Sequence, residues 1–189
     1  EIHERLVGSE MCIRDRCYAG ANNAETPCDF TYTGIKNDTT RNMIADAKWS
    51  LLGWLDEGVN VYADQSYKLE NTSGTVYTGN KTSWTGKIAL PYPSDYAYSA
   101  YLGKCTSTLG EYSNCSSWMK TMFNSKTIAL LTPIVSSSFV FHVAGGCLDL
   151  GEPYAALDSE IFPTFYLNAN VSIKTGSGTL NSPYQLSVG

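Results

Sequence analysis

The chain has 189 residues, with 13 Lys and Arg against 18 Asp and Glu, and a net charge of −5. This charge argues against a nucleic-acid-binding protein, which needs a basic face. The length suits one domain with its own core, and the thirteen Tyr and four Trp, among abundant Ser, Thr, Asn and Gly, are typical of exported β-rich proteins.

Residues 1–16, EIHERLVGSEMCIRDR, differ from the rest because seven of them are charged. The run LVGSEMCIRDR resembles the translation of a transposon-end sequencing adapter. We therefore expect residues 1–16 to be a non-native extension and residues 17–189 to be a single exported globular domain, truncated at its N terminus. No apolar run in residues 17–189 approaches the ~20 residues of a membrane span, so we expect membrane contact only through a missing upstream helix.

The first predicted element is a capped helix that begins after Asp38 and stops near Gly53. Apolar residues at positions 43, 44, 47, 51 and 52 share one face at helical spacing. Two shorter helices are predicted at residues 94–100, just after Pro93, and at residues 116–123.

From Thr75 onward, short alternating runs predict strands. The runs are TVYTG, SWTGKIALPYP, TIALLTP, SSFVFHVAGG, FPTFYL and VSIKTG, and a last strand follows a turn at Gly176 and Gly178. Strands interleaved with few short helices predict an α+β fold with a mostly antiparallel sheet.

Five cysteines lie outside the N-terminal extension, and no two of them form a C-x-x-C pair. Cys17 with Cys28, and Cys105 with Cys115, enclose short turn-rich loops whose length suits a disulfide. We predict both bonds, which imply an oxidising, extracellular compartment. Cys147 remains, either as a buried thiol or as the partner of a cysteine lost upstream.

No pattern of catalytic or metal-binding residues is found in the sequence. His142 is the only histidine outside the extension, no G-x-S-x-G surrounds a serine, and GSGT at Gly176 lacks the lysine of a phosphate loop. We therefore predict no catalytic residue, no metal and no cofactor.

An acidic group near the C terminus could supply oxygen ligands, but it lacks the regular spacing of a calcium loop. Its members are Asp149, Glu152, Asp158 and Glu160. A solvated acidic loop is the favoured interpretation, and calcium binding in this region stays open.

Tryptophans with many tyrosines could form a platform on which sugars stack, although most are expected in the core. The four are Trp49, Trp54, Trp84 and Trp118. Trp84 is expected to anchor the sheet against the first helix, so that Trp84→Ala would cost about 3–5 kcal/mol. The sequence does not say which residues bind a ligand.

Several stretches resemble a family of uncharacterised domains from gut Firmicutes found behind a prepilin-type N-terminal methylation helix. They are MIADAKWSLLGW, VYTGNKTSWTGKIALPYPSDYAY, CTSTLGEYSNC followed by SSWM, and FPTFYLNANVSIKTGSGTLNSPYQL. The resemblance implies a C-type-lectin-like fold in its formylglycine-generating-enzyme variant, a scaffold that serves both enzymes and binding proteins.

The expected function is that of a non-catalytic bacterial cell-surface or pilin-associated domain, which binds an unknown extracellular protein or glycan in adhesion. One alternative is a cysteine- or metal-dependent enzyme of the formylglycine-generating type. Another is a purely structural module of a pilus or cell wall.

Overall fold

The computed structural model describes residues 38–55, 59–76, 79–101, 105–123, 126–135, 139–153, 162–179 and 181–189. These residues form two compact units: a larger one within Ala47–Thr164, and a smaller one formed by residues 38–46 and Phe165–Gly189. Both units contain short elements and antiparallel strand pairs. The predicted α+β class with a mostly antiparallel arrangement is confirmed.

The larger unit begins with a two-stranded sheet of β1 (Ala47–Ser50) and β2 (Ser83–Gly86). Trp49 pairs with Trp84 in the register, and the Trp49 indole N–H donates to the carbonyl of Gly86 at 2.8 Å. Trp49 is buried, whereas Trp84 is 40% exposed and covers Gly86 so closely that a Cβ there would collide with its ring. The expectation that Trp84 is a buried anchor of the sheet is therefore wrong. Trp49 is the buried tryptophan of the pair.

The predicted helix from residue 38 to Gly53 is wrong beyond Met43. The helix α1 (Asp38–Met43) has six residues, and the chain then extends into β1. The apolar spacing of this segment fits a helix as well as a strand. Pairing with β2 decides the outcome, because it satisfies the backbone of β1 and places Trp49 among buried neighbours.

Short helices lie between the strands of the larger unit. They are α2 (Ala63–Lys68), which continues as a π-helical turn (Leu69–Ser73), α3 (Pro93–Tyr98), a 3₁₀ helix (Leu109–Asn114) and α4 (Trp118–Phe123). At the N-terminal ends of α2 and α3, the side chains of Gln65 and Asp95 accept hydrogen bonds from the N–H groups of Tyr62 and Tyr92, each at 2.9 Å. The two helices predicted at 94–100 and 116–123 are confirmed within two residues at each end.

The second sheet is a meander of β3 (Ile128–Pro133), β4 (Phe139–Ala144) and β5 (Cys147–Pro153). β4 and β5 join through Gly145 and Gly146, whose φ angles of +58° and +85° suit a tight two-residue turn. The predicted strands TIALLTP and SSFVFHVAGG are confirmed in β3 and β4.

The core of the larger unit lies between this meander and the helices. Its largest fully buried members, each at most 1% exposed, are Tyr96, Leu109, Tyr112, Ile128, Leu130, Ile134 and Phe141. Trp54 stacks on Phe141 with ring centroids 4.4 Å apart. The rings of Tyr96, on α3, and Tyr112, on the 3₁₀ helix, have centroids 5.9 Å apart, so aromatic packing also joins these two helices.

In the smaller unit, α1 lies beside the segment that precedes a hairpin of β6 (Val171–Thr175) and β7 (Gln185–Val188). Asn168 caps the C-terminal end of α1, since its N–H donates to the carbonyl of Met43 at 2.8 Å and its amide to that of Asn42 at 2.6 Å. The φ angles of Gly176 and Gly178, +98° and +76°, confirm the predicted turn.

The predicted strand FPTFYL does not form. It makes two isolated bridges, from Thr164 to Ala89 and from Leu167 to Ile44, and no regular ladder. In the predicted strand TVYTG, Thr75 makes an isolated bridge with Gly53, and Tyr77 and Thr78 lie outside the described residues.

Candidate functional site

A cleft of about 610 Å³ opens in the larger unit beside α4. We call it the Trp118 cleft. Its lining is Tyr96, Asn114, Cys115, Ser116, Ser117, Trp118, Lys120, Thr121, Lys126, Val143, Gly145 and Gly146. The volume lies in the range of small-molecule sites in proteins.

The end of the 3₁₀ helix forms one wall of the cleft, and a cysteine pair holds it. The sulfur atoms of Cys105 and Cys115 lie at bonding distance, with their Cα atoms 5.4 Å apart. Both cysteines are buried, although Asn114 and Ser116 on either side of Cys115 are exposed. The pair thus fixes the backbone from which two polar side chains reach the cleft. Cys17 and Cys28 lie outside the described residues.

Contacts between Ser99 and Ser117 position α4. Their hydroxyl groups share a short hydrogen bond, and the Trp118 N–H donates to the carbonyl of Ser99 at 3.3 Å. An isolated antiparallel bridge joins Ala100 to Ser117. The Thr121 hydroxyl donates back to the Ser117 carbonyl at 3.1 Å. The start of α4, and with it Trp118, is therefore tied to the end of α3.

The turn between β4 and β5 forms the facing wall. The Tyr96 hydroxyl donates to the Gly146 carbonyl at 2.8 Å, and burial raises the pKa of Tyr96 to about 12, which keeps this donor protonated. The stem of Lys120 crosses Gly146, where an added Cβ would come within 2.8 Å of its Cε. The Lys120 ammonium donates to the Ser113 carbonyl. Glycine at 146 thus makes room for Lys120.

The four tryptophans divide between core and surface. Trp49 and Trp54 are buried, whereas Trp118 is 62% exposed and lines the cleft. Exposed tyrosines continue the aromatic surface along α2 and α3, and the rings of Tyr67 and Tyr98 meet edge to face at 6.3 Å. Of the predicted platform, Trp118 is the exposed member that lines the Trp118 cleft, whereas the buried Trp54 lines a second cleft of about 330 Å³. Lys120 and Lys126 beside Trp118 were not anticipated.

The histidine and the acidic group do not form a site in the described residues. His142 is buried, its Nδ1 has no partner there, and burial lowers its pKa while the charge of Asp149 opposes the shift. Asp149 is exposed on β5, opposite His142, and Glu152 lies further along that strand. Asp158 and Glu160 lie outside the described residues.

A buried carboxylate that the sequence did not indicate joins α2 to α3. Glu70, in the π-helical turn, is 0% exposed. Its Oε1 accepts hydrogen bonds from the Ser66 hydroxyl at 2.6 Å and from the Ser94 N–H at 2.9 Å, and its Oε2 bonds the Ser94 hydroxyl. Burial raises the pKa of Glu70 to about 7 against the opposing effect of these bonds. With no exposed surface, this group stabilises the fold and does not reach a ligand.

Across the described ranges, no three His, Cys, Asp or Glu side chains lie close enough to hold a metal ion. No helix in the same part of the chain is long and apolar enough to cross a membrane. The sequence and the structure match no family model, no curated protein and no solved structure.

Proposed function

We propose that this chain is a non-catalytic binding module of a bacterial cell surface, which holds a glycan, or a glycan-bearing partner, in the Trp118 cleft. The exposure of Trp118 on the wall of the cleft carries the proposal. A large apolar ring in contact with water is unfavourable, and such rings, enclosed by polar groups, are typical of binding sites. The flat face of an indole suits the apolar face of a sugar ring.

The remaining lining supports a carbohydrate partner, because a sugar offers many hydroxyls that must exchange water for protein hydrogen bonds. Exposed amide and hydroxyl groups on Asn114, Ser116 and Thr121 can supply these bonds from two sides of Trp118. The cleft is anchored by a cysteine pair and a serine pair, so little ordering would be needed on binding.

The test is binding of the full chain to an array of neutral, N-acetylated and acidic oligosaccharides. Trp118→Ala is expected to weaken binding by at least about tenfold, as for a central aromatic contact. Trp84→Ala is the matched control, since Trp84 is also exposed but does not line the cleft. Failure to bind any oligosaccharide, or equal binding by wild type and Trp118→Ala, would overturn the proposal.

We further propose an exported, pilin-associated location and a C-type-lectin-like fold. The antiparallel α+β architecture, the cysteine pair at bonding distance and the family resemblance support both proposals. The gene upstream of Cys17 tests the location. A prepilin cleavage site followed by an apolar helix of ~20 residues is expected, whereas an ordinary secretion signal or a cytosolic start would favour an enzyme of the formylglycine-generating type.

A further inference from the structure

Charge is distributed unevenly between the Trp118 cleft and the chain as a whole. The chain carries a net charge of −5, yet the described residues that line the cleft include two lysines and no aspartate or glutamate. The other ionisable group of the lining, Tyr96, stays neutral because burial raises its pKa to about 12. Both charged side chains that the described lining contributes are therefore cationic, in a chain whose net charge is negative.

We propose that the ligand of the Trp118 cleft is an acidic saccharide, whose carboxylate or sulfate binds Lys120 and Lys126 while a sugar ring stacks on Trp118. This inference rests on the proposed function and narrows it to one class of glycan. Because the net charge of the chain repels anions at long range, a local pair of cations is needed for an anion to bind.

The position of Lys120 suits this role. Its stem is half-buried across Gly146, and its ammonium reaches the Ser113 carbonyl. An ammonium carries three donors, so Lys120 can hold Ser113 and a ligand oxygen together. Lys126 lines the same cleft and is exposed, just before β3. The two lysines come from different elements and can meet one anionic group from different directions.

Other anionic ligands fit the lining less well. Nucleic acid requires a basic surface extended along the phosphate backbone, and two lysines in an acidic chain do not supply one. Phosphopeptide sites use arginine clusters, and the described lining contains no arginine. Exposed hydroxyl and amide groups beside an indole match the hydroxyl-rich ring of a sugar acid.

The experiment measures affinity of the full chain for three probes by calorimetry. Tetragalacturonate carries carboxylates, its fully methyl-esterified form keeps the rings without the charge, and a 6-sulfated chondroitin tetrasaccharide carries sulfate as well. We expect the acidic probes to bind at least about tenfold more tightly than the ester, since hydrogen bonds to charged groups are stronger than those to neutral groups. Added salt should weaken the acidic probes alone.

Variants separate the two proposals. Lys120→Gln with Lys126→Gln should weaken the acidic probes by about tenfold more than it weakens the ester, whereas Trp118→Ala should weaken all three probes to a similar extent. Lys174→Gln, an exposed lysine outside the cleft, is the control. If the ester binds as tightly as the acid and Trp118→Ala weakens both, the inference that the ligand is acidic is wrong, whereas the proposed binding of a glycan stands. If no probe depends on Trp118 or on the lysines, both fail.

Discussion

At the residue scale, the Glu70 carboxylate is an acidic group that is buried away from water. It is fully buried, its hydrogen bonds come from Ser66 and Ser94, and the nearby charge of Asp95 adds to the rise in pKa that burial causes. The hydrogen bonds from Ser66 and Ser94 favour the ionised form, whereas burial favours the neutral form, and the effect of burial is the larger one.

This pKa predicts how stability depends on pH. The folded pKa, raised from 4.5 to about 7, means that the folded state binds the proton more tightly than the unfolded state. Protonated Glu70 stabilises the folded state by about 3 kcal/mol below the unfolded pKa, and this stabilisation is lost as pH rises through the folded pKa. The urea midpoint of the wild-type protein should therefore fall as pH rises from 4.5 to about 7, and Glu70→Gln should make this fall smaller. Glu111→Gln, at an exposed position, is the control, and an unchanged slope in Glu70→Gln would contradict the prediction.

The two paired tryptophans of β1 and β2 give a second prediction. Trp49→Ala should cost about 3–5 kcal/mol, because it removes a buried ring and the bond to the Gly86 carbonyl. Trp84→Ala, at a position 40% exposed, should cost distinctly less. Chemical denaturation of both variants checks the order, and equal losses would show that Trp84 is buried in solution.

At the element scale, the cleft depends on how short helices are held. The 3₁₀ helix and α4 have six residues each, too few to be stable alone in water. The cysteine pair before and after the 3₁₀ helix, and the hydrogen-bonded serine pair before α4, therefore stabilise two helices that are too short to be stable alone.

We predict that Cys105 and Cys115, whose sulfur atoms lie at bonding distance, form a disulfide. Mass spectrometry of a non-reduced digest should recover the two linked peptides. Replacing both cysteines by serine should lower stability by about 2–3 kcal/mol in the chain-entropy model and weaken glycan binding, because Cys115 lines the cleft. Recovery of both residues as thiols from exported protein would refute the bond. Cys17 and Cys28, also predicted to pair, are tested in the same digest.

At the scale of the whole molecule, the described residues fold as two units, and the candidate site lies wholly in the larger one. The cleft, its cysteine pair and the buried core all belong to elements between β1 and β5. Binding to the cleft can therefore be assigned to contacts within the larger unit.

We predict that residues 1–16 contribute nothing to the stability of the molecule, because the sequence predicts a non-native extension there, and such a segment would not have been selected to pack. Their deletion is expected to leave the melting temperature nearly unchanged, whereas Trp49→Ala should lower it clearly. Thermal melts of both variants, measured in the same buffer, check this. A comparable drop on deletion would show that the extension belongs to the fold.

The sequence by itself determined the α+β class and the elements whose signals are local. Pro93 opens α3, Gly176 and Gly178 supply the turn before β7, and alternation marks β3 and β4. These features depend on residues within a few positions of each other, so composition and spacing were enough to predict them.

Only the tertiary structure decided that residues 44–52 do not continue the first helix, and only the tertiary structure located the site. A strand forms there because β2, more than thirty residues away, supplies its hydrogen bonds. Trp118 and Lys126 share a cleft with Gly146, and the pKa of Glu70 rises, because elements distant in the chain enclose them. Local spacing carries no information on such neighbours, since exposure and electrostatics depend on what packs against a side chain.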